Sequence, residues 1–284
     1  MFSVQDKSII ITGANSGIGK ETAEVLAARG AHVTMASRSV DRGEEAKADI
    51  LKRIPYAQLE VGQCDLSSLA SVAAFAAAYQ ERNNKLYALI NNAGVVTTRR
   101  EMTEDGFEKM LGVNHIGHFY LTTQLLPLLM REDNARVITL SSGAYKWGDI
   151  DFADPHLDRT FGIWKGYARS KLANVLFTVE LARRLKTSFV NAVSVHPGAA
   201  STEIGVDRET GFGKKVHTVL RPILKSSREG AATTIHLAST RELINGGYYY
   251  EGGKRQELKG KALDADLAKE LWEWGEKEIR QRGF

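Results

Sequence analysis

The sequence predicts an α/β protein: one domain built on a doubly wound, mainly parallel seven-stranded sheet with helices on both faces. Three observations predict it. Short β-rich runs alternate with helical stretches, most of the runs are apolar throughout, and no Pro/Ser-rich linker divides the 284 residues. A strand that is apolar on both faces belongs in a parallel sheet covered on both sides. Repeated strand–helix–strand units imply right-handed crossovers and a doubly wound sheet.

The elements follow in order. An isoleucine run makes residues 8–11 a strand, and a helix is expected over 17–29. Strands at 32–36 and 59–62 alternate with helices at 41–54 and 67–82. In these helices Ala, Val and Leu recur at helical spacing while Glu and Lys face outward. A strand at 86–90 leads to a long helix over 103–130, and a strand at 137–140 to a helix around 167–185. The last units are a strand at 189–195, a helix at 228–238 and a strand at 248–250. Two segments, 145–164 and 199–227, exceed the usual connection of 2–6 residues, as lids and binding loops do. The tail from 264 to 282 reads as a charged helix whose Trp272 and Trp274 pack on the body.

Composition narrows the function. With 43% hydrophobic and 25% charged residues, the chain has the balance of a soluble globular protein and too much apolar surface for disorder. The longest apolar stretch, residues 72–79, is far short of the ~20 needed to span a bilayer. Residues 1–7 are too short and mixed for a signal peptide. The single cysteine, Cys64, excludes an internal disulfide and a cysteine metal cluster, and suits a cytoplasmic, reducing location. A net charge of +4, from 38 basic and 34 acidic residues spread along the chain, leaves no nucleic-acid footprint. A homodimer is compatible with the sequence but not specified by it.

The first strand runs into Thr12-Gly13-Ala14-Asn15-Ser16-Gly17-Ile18-Gly19, which opens the first helix. A pyrophosphate needs closely spaced backbone N–H donors. Glycines at 13, 17 and 19 clear its approach, and the helix N-terminus adds dipole and free amides. This is the dinucleotide site of a Rossmann-type fold. The second strand ends Ala36-Ser37-Arg38, with no carboxylate before Asp41. An acid here would accept the ribose 2′-hydroxyl of NAD, whereas arginine suits the 2′-phosphate of NADP. NADP(H) is favoured over NAD(H).

Tyr167 and Lys171, four residues apart on a helix, face the same way. Carbonyl reduction delivers hydride to carbon and a proton to oxygen, and a phenol of pKa near 10 is a poor base for the reverse step. A charge about 5 Å away contributes ~3 kcal/mol at an effective dielectric near 20, about two pKa units. Lys171, with an oxidised nicotinamide, is therefore expected to bring the phenol into working range. Ser141-Ser142 end the fifth strand at the carboxyl edge, where a hydroxyl would hold the substrate oxygen.

Together these motifs, with Asp65-Leu66, Asn91-Asn92-Ala93-Gly94, Asn114 and Pro197-Gly198, occur in the order of the short-chain dehydrogenase/reductase family, which the chain resembles from about residue 6 to residue 250. The run from Tyr167 to Thr178, the 25-residue Ser142–Tyr167 spacing and Gly247-Tyr248-Tyr249-Tyr250 resemble its retinol dehydrogenase and WW-domain-oxidoreductase branch. The resemblance implies that Ser142 orients the substrate oxygen and Tyr167 is the acid/base. It also implies that Lys171 binds the nicotinamide ribose and Asn114 holds a water that relays protons to Lys171. Asp65 would contact adenine, with Leu66 beside it. Asn92, Ala93 and Gly94 would line the adenosine side, and Pro197, Gly198 and Thr202 would hold the nicotinamide end. Two departures stand out. Ser16 occupies a position that is often basic in NADP-using relatives, and the chain begins without the membrane anchor of many retinoid enzymes.

Other signals are weaker. His115 and His118 lack a completing ligand set, so no metal is expected. Asp149, Asp151 and Asp154 read as a solvated loop, and Cys64 as packed near the adenine site. Phe212, Val216 and Leu220 repeat at helical spacing between lysines and arginines, forming a substrate lid or, less favoured, a peripheral membrane contact or simple core packing. Apolar lid residues suit an apolar aldehyde or ketone and its alcohol. A dinucleotide-sensing regulator would lack the Tyr/Lys pair. A sugar-nucleotide epimerase would carry differently spaced glycines and a longer C-terminal region.

Overall fold

Three consecutive isoleucines build the first strand, β1 (Ser8–Thr12), and they alternate between two cores. Ile10 points into one apolar cluster, Ile9 and Ile11 into the other. The structure, a computed structural model, describes residues 3–198, 226–250 and 252–284. The expected lid residues Phe212, Val216 and Leu220, and Thr202, lie outside the described residues.

Around β1 the described strands are β2 (His32–Ser37), β3 (Gln58–Gln63), β4 (Ala88–Asn91), β5 (Arg136–Leu140), β6 (Asn191–His196), β7 (Tyr248–Tyr250) and β8 (Lys254–Gln256). They form one eight-stranded sheet in the order β3-β2-β1-β4-β5-β6-β7-β8. All pairs are parallel except β7 with β8. One core packs α1 (Gly17–Ala28), α2 (Val40–Arg53) and α7 (Ser227–Ala238) on the sheet. The other packs α3 (Leu69–Arg82), α5 (Gly117–Leu129), α6 (Ile163–Arg184) and α8 (Ala265–Gln281) on the opposite face. A short α4 (Lys109–Leu111) precedes α5. Because β1 to β7 run parallel, Thr12, Ser37, Asn91, Leu140 and His196 end along one edge. Strand order reverses between β1 and β4, and open α/β sheets bind ligands at such a point.

Four expectations are corrected. The sheet has eight strands, not seven. Lys254–Gln256 is charged and fully solvent-facing, so it carries no apolar alternation, and it turns back through Gly252 and Gly253 at positive φ. The helix expected over 103–130 begins only at Lys109, because the Glu108 carboxylate caps it, accepting from Met110 N at 2.9 Å and Leu111 N at 3.0 Å. A π turn, Gly112–Ile116, then separates α4 from α5. Asp154 is not solvated: its buried carboxylate accepts from Asp158 N at 2.7 Å and Arg159 N at 3.4 Å, folding the 149–162 connection inward. The sixth strand starts at Asn191, two residues late, since Asn191 pairs with Arg136 while Phe189 is 75% exposed.

The tail helix is capped by Asp264, which accepts from Leu267 N at 2.9 Å. Trp272 stacks on Phe177 at 5.7 Å between centroids and meets Phe119 edge-on at 4.8 Å. Among the described residues no helix is long and apolar enough to cross a membrane, and no cluster of side chains could hold a metal ion.

Candidate active site

The loop after β1 turns on two left-handed glycines, Gly13 (φ +64°) and Gly17 (φ +55°). Gly19 has a further reason. A Cβ there would lie 2.4 Å from the Gly13 carbonyl and 2.5 Å from Asn92 Nδ2, so this glycine also lets α1 close on its own loop. Ser16 is extended, gives α1 no side-chain cap, and no acid stands in the first turn. Helices α2, α3, α7 and α8 start with side-chain caps, whereas α1 and α6 do not. The first amides of α1 are left to an anion, with Asn15, Ser16 and Gly17 half-buried around them and Ile18 buried. These residues fit a dinucleotide pyrophosphate.

Toward the adenosine end, the Arg38 guanidinium is exposed and has no carboxylate partner among the described residues. Ser37 is buried, and its hydroxyl donates to Ser39 O at 3.0 Å, so it supports the turn that presents Arg38. One Asp65 oxygen accepts from Ser67 N and Oγ at 2.9 and 2.7 Å. Buried Leu66 sits where a Cβ on Gly117 would clash, 2.5 Å from the Leu66 carbonyl, so it seats the π turn. Cys64 is buried beside Asp65, and desolvation pushes its thiol up to about 12.

Thr12, His118 and Asn114 join the two ends of the site. Desolvation, then the nearby Lys171 charge, holds His118 down to about 4, so the ring is neutral at pH 7. Its Nδ1 lies 3.1 Å from the Asn114 carbonyl, which only accepts, so Nδ1 carries the proton. Nε2 must then accept, and the Thr12 hydroxyl 2.8 Å away donates to it. That orientation frees the Thr12 oxygen to accept from Asn92 N at 2.9 Å and Ala93 N at 3.0 Å. Asn92 Nδ2 donates back to Thr12 O at 2.7 Å. Asn92 and Ala93 are thereby tied to the phosphate loop. Both Asn114 amide protons are committed, to Val95 O and Ser170 Oγ at 3.0 Å each, and its oxygen accepts from Val95 N at 2.7 Å. Only the remaining lone pair of Asn114 Oδ1 is open to a water.

The reactive groups meet at the end of β5. Ser141 is turned inward, donating to Lys171 O at 2.8 Å, while Ser142 faces the Tyr167 phenol. The Lys171 ammonium lies 5.6 Å from the Tyr167 ring centre and donates to Leu140 O at 3.3 Å. That carbonyl also accepts from Asn174 Nδ2 at 2.9 Å. A Cβ on Gly94 would stand 3.7 Å from Lys171 Nζ and 3.4 Å from Asn114 Oδ1, so Gly94 floors the same corner. Pro197 and Gly198 (φ +83°) follow directly on β6.

The expected lowering of the phenol was tied to an oxidised nicotinamide, and the polypeptide by itself does not produce it. In the polypeptide, burial pushes Tyr167 up, and only the Ser142 hydrogen bond opposes it. Burial also brings Lys171 down to about 8. Tyr167 is therefore protonated at neutral pH, the form a general acid needs, and Lys171 loses its charge just above pH 8. An ammonium donating to ribose hydroxyls favours its charged form, so cofactor affinity falls as pH rises through about 8. Lys171→Met should weaken binding roughly 10- to 100-fold at pH 7, the loss of one charge-assisted contact, and flatten this profile. Fluorescence titration of NADPH from pH 6 to 10 checks it. A flat wild-type profile would separate Lys171 from the ribose.

Thr12, His118, Ser170 and Asn174 were not singled out as site residues in the sequence. Thr12 opens the glycine loop, and the other three show only polarity close to Asn114 and Lys171; that becomes specific once β1, β4 and α6 are brought together.

A family model for short chain dehydrogenase matches residues 7–211. Human retinol dehydrogenase 12 is 42% identical over 267 residues, covering 94% of this chain and 84% of the relative. Chicken WW domain-containing oxidoreductase is 39% identical, covering 97% of this chain and 69% of the relative. The crystal structure of an uncharacterized protein from Mycobacterium paratuberculosis superposes with a TM-score of 0.79 at 35% identity, covering 99% of this chain and 96% of the other.

Proposed function

The chain belongs to the short-chain dehydrogenase family, in its retinol dehydrogenase branch, and on that premise we propose that it interconverts an apolar aldehyde or ketone and its alcohol with NADP(H) as the favoured dinucleotide. It is an oxidoreductase acting on CH–OH groups. The observation that carries the finer reading is the convergence of Ser142, Tyr167 and Lys171 beside a capless α1 N-terminus.

A nicotinamide held beside Lys171 would supply or accept the hydride. In reduction the Tyr167 hydroxyl gives its proton to the carbonyl oxygen, and the Ser142 hydroxyl holds that oxygen in place. In oxidation Tyr167 must take the proton back, and the Ser142 hydrogen bond is what favours the phenolate against its burial. Asn114, fixed between Val95 and Ser170, keeps the π turn against Lys171.

Support for NADP is Arg38, exposed and unpaired among the described residues. A guanidinium binds a phosphate through parallel hydrogen bonds, and one such contact is worth roughly 10- to 100-fold. With Ser16 where a second cation would stand, the lower half of that range is expected. The test measures cofactor affinity and turnover of a panel of aldehydes and ketones with NADPH and NADH, in wild type and Arg38→Ala. The variant should lose the preference and keep NADH binding. Equal wild-type affinities would overturn the NADP reading, and no turnover with any carbonyl or alcohol would overturn the activity. An acid at position 37 is a poor test, because the buried Ser37 site would bury the carboxylate.

A further inference from the structure

Two tryptophans stand in water beside the reactive tyrosine. Trp147 is 66% exposed and Trp164 57%, and their ring centroids are 5.8 Å apart at 53°. Trp164 in turn lies 6.3 Å from the Tyr167 ring at 45°. The three rings make a continuous aromatic path that ends at the proton-transferring phenol. Tyr56 and Phe189 are comparably exposed, yet neither has a ring partner among the described residues. Isolated exposed aromatics are ordinary, whereas a contiguous apolar patch marks a binding surface.

Both indoles are held by the site itself. Trp147 closes the 3₁₀ turn Gly143–Trp147, which starts at Ser142 and is capped by its hydroxyl. Tyr145 of that turn is buried edge-on against Tyr248 at 5.1 Å. At Gly148 the chain presses on α6 so closely that a Cβ would be 2.4 Å from Ala168 O. Trp164 lies in the first turn of α6, one turn before Tyr167. The platform is thus fixed relative to the two groups that would hold the substrate oxygen.

We propose that Trp147 and Trp164 form a substrate subsite that selects carbonyl compounds bearing an aryl group, with the ring on the indoles and the carbonyl oxygen between Ser142 and Tyr167. Tilted indoles offer both face and edge to a flat ring, a preference for π-systems that goes beyond apolar area. The inference rests on the carbonyl/alcohol reading above.

The test compares benzaldehyde with cyclohexanecarbaldehyde, which match in size and differ in aromaticity. In Trp147→Ala and Trp164→Ala the benzaldehyde-to-cyclohexanecarbaldehyde ratio of kcat/KM should fall about two- to tenfold each, and further in the double variant. Independently of turnover, benzaldehyde should quench wild-type tryptophan emission saturably, and this should vanish in the double variant. Turnover with an unchanged ratio overturns the subsite alone. Absence of turnover with every carbonyl overturns the activity reading instead, and saturable quenching would then still be read as the aryl site. An unchanged ratio accompanied by loss of vesicle binding or of a dimer in the variants would assign the indoles to a surface contact and overturn the subsite.

Discussion

Tyr167→Phe is expected to lower kcat by about 10²- to 10⁴-fold, the contribution of a positioned general acid or base. The substitution removes one hydroxyl whose partner in the structure is Ser142. The ring stays beside Trp164 and under the Lys171 ammonium, so NADPH affinity and thermal midpoint should hardly move. Steady-state rates with the best carbonyl found, alongside cofactor titration, separate these effects. Near-wild-type kcat would remove Tyr167 from proton transfer. An equal fall in cofactor affinity would point to a collapsed site.

Glu108→Ala is the largest expected loss of stability. Glu108 is fully buried and pairs at 2.7 Å with Arg169, itself 2% exposed. Arg169 also donates to Pro155 O. Removing one partner of a buried pair strands the other charge and costs about 3–5 kcal/mol. Loss of the cap on α4 adds about 0.5–2 kcal/mol. Against a typical stability of 5–15 kcal/mol, that is a large fraction. Urea denaturation measures it. The pair Glu108→Leu with Arg169→Met, which removes both charges, should recover much of the loss. A single-variant loss under about 1 kcal/mol would show the site tolerates an unpaired guanidinium. The consequence reaches the chemistry, because Arg169 lies between Tyr167 and Lys171 but faces the opposite way. Its ion pair fixes α6 against the segment that carries Asn114, whose amide meets Ser170 at 3.0 Å.

Much of the site was legible without coordinates because its signals are local. Gly13 and Gly17 are needed by the turn they sit in, Tyr167 and Lys171 share a helix face through spacing alone, and Arg38 follows its strand where a dinucleotide's adenosine phosphate would lie. Features set by partners distant in the chain were not legible. Gly19 has a second constraint, the close approach of Gly13 and Asn92, and the latter is brought there by β4. The helix over 103–130 looked continuous, yet Thr103 Cγ2 would stand 2.4 Å from a Cβ on Gly112 and Leu66 O 2.5 Å from one on Gly117. Those contacts frame the π turn that carries Asn114.

The sequence by itself determined the α/β alternation, the carboxyl-edge location of the candidate site and the spacing of the residues proposed to act there. Each of these follows from short-range sterics and from hydrophobic periodicity, which a chain carries along its own length. Only the tertiary structure decided the protonation of those residues and the supports that hold them. Burial pushes Tyr167 up and brings Lys171 down to about 8, a contribution that residue spacing does not carry. The reason is that desolvation depends on which other segments exclude water from a group, and in this corner β4, β5, α5 and α6 do so together. The same closure makes His118 neutral, turns the Thr12 hydroxyl toward it, and leaves Trp147 and Trp164 in water beside the site.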